Sequence, residues 1–231
     1  MRCLLSVSLT AALAVVGELA LSNLMQSSPL QKGVSVQMAV TSNAAAMPEA
    51  DNKNAWIVAV TDDGKVYFGT DPVKLAGLEE AMKSRPRNRD QKLYVKADAR
   101  VPFASVEKVL EAGREASFAA PILLTSQPER AAPGTIVPPK GLEVLVGPPA
   151  GSESPVVLAL DSGQQGSMVE INNQRIPLTS LPNALRQVFQ NRENKVVLVT
   201  AGGSLPFADV VHVIDVCRAA GARVVLDTPE L

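Results

Sequence analysis

Few residues in this chain could do chemistry, and they are scattered. Glu18 is the one charged side chain in the apolar run Cys3–Leu21. An acid at the centre of a membrane helix costs on the order of 2.5–3.5 kcal/mol, so an acid kept there usually marks function. At an outer interface or in a cleavage region it would be unremarkable. Asp98 follows the apolar stretch Leu93–Val95 and precedes Val101-Pro102-Phe103. That is a loop after a strand, where α/β folds place functional groups; Asp also serves there as a turn or helix cap. His212 is the sole histidine, with no acid or metal partner evident from spacing. Cys3 and Cys217 form no C-x-x-C and no Cys/His cluster, which leaves zinc and thiol–disulfide chemistry unsupported. Gly202-Gly203-Ser204 looks like a fragment of a phosphate loop, but no lysine follows and the spacing fits neither nucleotide fingerprint. There is no G-x-S-x-G and no coherent Ser/His/Asp set. The expectation is a protein that is not an enzyme and uses no metal or cofactor.

Composition narrows the class further. Charged residues are 19%, the net charge is −1 and aromatics are 3%. That balance offers neither the basic surface nor the stacking platform of a nucleic-acid binder. The apolar content of 46% is enough for real cores, and 17 prolines with 15 glycines imply many loops. Cys3–Leu21 as a helix would reach roughly 28 Å, close to a bilayer core. It reads either as a membrane anchor or as a cleaved signal peptide ending at Ala20-Leu21-Ser22, and both readings export the remainder of the chain. Arg2 before the run favours an inside N-terminus.

The elements that must position any site come in two copies. Lys32-Gly33-Val34-Ser35-Val36 recurs as Lys140-Gly141-Leu142-Glu143-Val144, and Ile57–Val60 as Val157–Leu160. The best pair is Val101-Pro102-Phe103-Ala104-Ser105-Val106 against Leu205-Pro206-Phe207-Ala208-Asp209-Val210. Ile122–Thr125 recurs as Val225–Thr228. Self-similarity in a fixed order signals a duplicated structural unit.

Each copy predicts the same string of elements. A leading strand alternates at Val34, Val36, Met38, Val40, or at Leu142, Val144, Val146. A second strand follows, turning in copy one at Asp62-Asp63-Gly64-Lys65 into a third at Val66–Phe68. A helix carries Leu75, Leu78, Met82, or Leu181, Leu185, Val188. A short apolar strand comes next, Leu93–Val95 or Val196–Val199. The second helix opens at Pro102 or Pro206 and buries Phe103, Val106, Leu110, or Phe207, Val210, Ile214. A last strand closes the unit. Right-handed crossovers put both helices on one face. The expected fold class is α/β: two tandem two-layer modules of about 75–95 residues, each a mixed sheet of about five strands with two helices on one face, after one N-terminal apolar helix. The boundaries fall at 1–27 for the apolar segment, 28–127 for module one, 128–139 for a Pro-rich linker and 140–231 for module two.

Ser28-Pro29-Leu30-Gln31-Lys32-Gly33-Val34 after an apolar segment resembles the membrane exit of ExbD/TolR proteins. So does Met47-Pro48-Glu49-Ala50-Asp51 leading into Ile57–Val60, and so does Asp63-Gly64-Lys65-Val66-Tyr67-Phe68. Val95-Lys96-Ala97-Asp98 followed by Val101-Pro102-Phe103 is similar to the family's A-D-x-x-V-P-(Y/F) stretch. The resemblance is close over Ser28–Thr125 and looser over Lys140–Thr228. It implies an accessory subunit of a proton-motive-force machine, working with a polytopic ExbB/TolQ-type partner. It also implies delivery of work to a TonB/TolA-like envelope protein, or contact with peptidoglycan, through extracytoplasmic domains that dimerise. The implied location is the bacterial inner membrane, single-pass, with both modules in the periplasm; secretion to the periplasm is the alternative. Family members carry a proton-handling Asp near the cytoplasmic end of the helix. Cys3–Leu21 has no Asp, so Glu18 is the proton-pathway candidate. The departure supports a rival reading, a periplasmic binding or scaffold protein that has lost the motor role.

The duplication also supplies internal controls. His212 aligns with Lys108, which points to a solvated helix face. Cys217 aligns with Gly113, which points to close helix–sheet packing. Copy two has Ala201-Gly202 where copy one has Asp98, so a partner-binding role for Asp98 would belong to copy one alone. Gln127–Pro139 contains four prolines and is short enough to hold the copies close. A domain that pairs as a homodimer could then pair within one chain, as an intramolecular pseudo-dimer.

Overall fold

The computed structural model describes residues 34–88, 90–127, 137–148, 155–161 and 168–228. The apolar run Cys3–Leu21, Glu18 and most of the Pro-rich linker lie outside the described residues. Among the described residues no helix is long and apolar enough to cross a membrane.

The strands in chain order are β1 (Ala45–Ala46), β2 (Trp56–Val60), β3 (Val66–Phe68), β4 (Asp71–Val73), β5 (Leu93–Ala97), β6 (Ile122–Thr125), β7 (Lys140–Glu143), β8 (Leu145–Val146), β9 (Val156–Leu160), β10 (Met168–Ile171), β11 (Gln174–Pro177), β12 (Val196–Ala201) and β13 (Arg223–Leu226). The α-helices are α1 (Leu78–Lys83), α2 (Phe103–Glu115), α3 (Leu181–Phe189) and α4 (Phe207–Ala219). They form two mixed sheets, ordered β1-β7-β6-β5-β2-β3-β4 and β11-β10-β9-β12-β13-β8. The central strands β2, β5, β6 and β9, β12, β13 are parallel within each copy, as crossover helices require. The hairpins β2–β3 and β10–β11 are antiparallel.

One continuous apolar cluster contains the inner faces of both sheets and residues of all four helices, among them Met82, Phe103, Leu185 and Phe207. The anticipated helix faces Phe103, Val106, Leu110 and Phe207, Val210, Ile214 are buried within it. Sheet one is covered on its other face too. Ile57, Tyr94, Ile122 and Leu124 pack there under Met38, Met47, Ala50 and Ala55. That explains why Trp56-Ile57-Val58-Ala59-Val60 is apolar without alternation and buried throughout. In sheet two β9 alternates instead, with Val156 and Leu158 buried and Val157 40% exposed.

Several expectations need correction. The sheets hold seven and six strands, more than the about five expected for each module, because short strands join at both edges. The leading segment of copy one is not a strand; Val40 alone bridges Ser126, and it is 58% exposed while Ala39 turns inward. The leading segment of copy two divides. Its first part, β7, inserts antiparallel between β6 and β1 of copy one's sheet, and β8 then pairs parallel with β13. Val144 and Val146 donate to the carbonyls of Pro121 and Ala119, at 3.1 Å each. Residues 140–146 therefore stitch one sheet to the other. In copy two the buried side of α3 is Leu181, Leu185 and Phe189, with Val188 partly buried. Pro102 and Pro206 sit at the cap positions of α2 and α4, one residue before the first helical turn.

Candidate functional site

The two stretches most alike between the copies meet. Val101-Pro102-Phe103 lies antiparallel to Leu205-Pro206-Phe207 through a bridge between Pro102 and Pro206. Phe103 N–H donates to the Leu205 carbonyl at 2.8 Å, and Phe207 N–H to the Val101 carbonyl at 2.9 Å. Outside this pair, Ala104 N–H donates to the Gly203 carbonyl and Ala208 N–H to the Ala99 carbonyl, both at 2.9 Å. Each bond has its counterpart when the copies are exchanged, so the four describe a local two-fold between the modules. The pairing has its cause in the helix starts. The first amides of a helix lack intrahelical acceptors, and a proline cap supplies no side-chain oxygen to accept them. Here each helix takes its acceptors from the loop of the other copy. Gly203 permits the close approach, since a Cβ there would lie 3.0 Å from that of Ala104.

The segment that leads into module one is pinned beside this junction by two carboxylates. Asp98, at the end of β5, accepts the Gln37 N–H at 3.0 Å, the Arg100 N–H at 3.1 Å, Arg100 Nε at 2.8 Å and Arg100 Nη2 at 3.1 Å. Its side chain is 4% exposed. The Arg100 guanidinium, which also reaches Asp62 at 3.1 Å, holds the Asp98 carboxyl down at about 2. Asp215, in α4 of copy two, is the second clamp. Its carboxylate accepts Ser42 N–H at 3.0 Å, Asn43 N–H at 2.8 Å and Asn43 Nδ2 at 3.0 Å. The entering segment is thus tied to both copies before it continues into β1.

Of the residues singled out from sequence for possible chemistry, Gly203 lies within this junction and Asp98 lies beside it. The Gln37 and Arg100 donors make Asp98 a clamp on Gln37 and the loop to α2. His212 and Lys108 are both exposed on their helices. Cys217 is fully buried, and burial pushes its thiol up to about 12. Its counterpart Gly113 lies so close to the sheet that a Cβ would meet Leu93 Cδ2 at 2.7 Å. The Asp62–Lys65 turn forms as expected, with Gly64 at φ 76°. Glu18 lies outside the described residues.

Sequence reasoning does not find Asp215, Ser42 or Asn43, although a signal exists. Asp215 aligns with Glu111, and both acids interrupt the apolar side of a helix and are buried. A buried acid must find donors. The hairpin β10–β11 also escapes that reading; Asn172-Asn173 turns it with φ of 47° and 69°, the two positive angles of a type I′ turn.

A duplicated α/β module behind an apolar leader, with its Val-Pro-Phe and Leu-Pro-Phe stretches paired about a local two-fold, defines the class structurally. The model of the family described as biopolymer transport protein ExbD/TolR matches residues 18–128 and again 134–230. The chain therefore belongs to the ExbD/TolR family, and it carries the family domain twice. Membership implies an accessory role in biopolymer transport. Comparison with curated proteins gives no match.

Proposed function

We propose that the chain is an envelope-anchored accessory subunit of a proton-motive-force-driven biopolymer transport complex. In this reading an ExbB/TolQ-type polytopic subunit engages the N-terminal segment. The paired modules pass work to a TonB/TolA-like envelope protein or to peptidoglycan. The observation that carries the reading is the double match to the family over nearly the whole chain. The junction supports a second element: a single chain supplies the domain pair that the family otherwise assembles from two chains. Glu18 is the carboxylate assigned to the proton pathway, since Cys3–Leu21 contains no other acid.

Two experiments test the reading. The chain should resist carbonate extraction from membranes and bring down a polytopic ExbB/TolQ-type subunit. Glu18→Gln should abolish motor activity without releasing the chain from the membrane; full activity in this variant removes the proton role. A chain that leaves the membrane in carbonate, beginning near Asn23, would instead establish the periplasmic scaffold. The missing family Asp in Cys3–Leu21 is what favours that second reading.

A further inference from the structure

Module one carries an unusual aromatic group at the end of the sheet opposite Asp98. Trp56 at the start of β2 stands between Phe68 of β3 and Phe118 after α2. The ring centroids are 5.4 Å and 5.3 Å away, at interplanar angles of 66° and 51°. All three rings are buried. Each outer ring carries an arginine on its face: Arg85 lies 4.2 Å over Phe68 and Arg87 lies 4.3 Å over Phe118. Both arginines line an open cleft of about 670 Å³, together with Lys53, Trp56 and Asp90. Stacking orients a guanidinium plane and leaves its edge N–H groups free to donate. Arg85 has one distant acid, Asp71 at 3.8 Å, and no carboxylate pairs with Arg87 among the described residues.

The second copy shows that the fold does not require this group. Strand register places Val156 where module one has Trp56, and Ile171 where it has Phe68. The repeat places Ala222 at the position of Phe118. These aliphatic residues stand at the three positions in module two, whose core takes its rings, Phe189 and Phe207, from the helices α3 and α4. The group of three strand and loop rings with an arginine on each outer ring thus belongs to copy one.

We propose that this cleft is a binding site for a compact, multiply charged oxyanion of the phosphate or pyrophosphate class. Two planar guanidinium groups held on rings match bidentate recognition of tetrahedral oxyanions. Asp90, also at the wall, sets a limit by repelling anions that approach its side of the cleft. Trp56 is the only tryptophan of the chain and it lines the cleft, so its fluorescence reports the site directly.

The full chain in detergent is titrated with inorganic pyrophosphate at constant ionic strength while Trp56 emission is followed. A parallel titration uses glycerol 3-phosphate. The site predicts a saturable change that Arg87→Gln and Arg85→Gln each weaken by about tenfold or more, as expected when a bidentate charged contact is lost. Lys195→Gln, which removes a cation from module two, should leave the titration unchanged. Saturation by both ligands supports the site and assigns a phosphate monoester, such as a lipid headgroup, as the source. Saturation by pyrophosphate alone supports the site and assigns a free anion. An absent or unsaturable response overturns the proposal, as do identical titrations in the wild type and both arginine variants. An equal loss in Lys195→Gln overturns it too, because the response would then follow net charge. Failure here leaves the transport role untouched, since that role rests on the family match.

Discussion

Replacing Asp215 by Ala removes the acceptor that ties the entering segment to the second module. The residue is 6% exposed, and its carboxylate receives the amides of Ser42 and Asn43 together with Asn43 Nδ2. A hydrogen bond to a charged group contributes about 1.5–3 kcal/mol net. Ser42 and Asn43 are themselves exposed, so their freed amides would meet water, and the lower end of that range applies. The two backbone bonds then sum to about 3 kcal/mol. At about 1.4 kcal/mol per factor of ten, the detached state of residues 42–43 becomes about a hundredfold more populated. Amide hydrogen exchange reads this directly. Exchange at Ser42 and Asn43 should accelerate by about two orders of magnitude, while β5 and β12 keep their protection. Asp215→Asn keeps one acceptor oxygen and should fall between. Unchanged exchange at the two amides in a folded Asp215→Ala chain would refute the clamp.

Other consequences arise from particular contacts. Gly113→Ala places a methyl 2.7 Å from Leu93 Cδ2; overpacking costs about 1–3 kcal/mol and the gain in helix propensity offsets up to about 1, so a net loss of up to about 2 kcal/mol is expected in urea unfolding. Cys217 should resist thiol reagents at about pH 8 in the native chain and react once the chain is unfolded, because its thiol is buried and pushed up to about 12. Asp98 has a folded-state value of about 2, below the ordinary carboxylate value, so its contribution is fully present above about pH 4 and is lost as pH falls toward 2. Protection of the Gln37 amide should take the same course, and Asp98→Asn should flatten it. His212→Ala should change stability by no more than about 0.5 kcal/mol, since the residue is exposed on α4.

Much of this arrangement is legible in the sequence. The spacing of Phe103, Val106 and Leu110 and of their counterparts fixes which side of each helix is buried, because only one side can face a sheet. The duplication identifies His212 and Cys217 as structural through the residues aligned with them. Where a strand pairs once two modules share a chain is not legible. Lys140–Val146 alternates like any half-buried strand, yet its edges satisfy two different sheets, and no local pattern encodes that choice. Val34–Val40 alternates similarly but pairs at a single bridge, because Asp98, Ala99 and Ser126 take up backbone groups of that segment. The junction is half visible. Val101-Pro102-Phe103 and Leu205-Pro206-Phe207 stand out as the best-preserved part of the repeat, but sequence does not show that they preserve contact with each other. Asp215 hides inside an apolar helix, where its shared character with Glu111 is the available clue.

Native mass spectrometry of the complex isolated from membranes through the tagged full-length chain tests the central claim most directly. The account predicts a polytopic ExbB/TolQ-type subunit bound to this chain, with no pair of like modules held across two chains. Recovery of the chain without any such subunit, or as an obligate dimer of two chains, would contradict it.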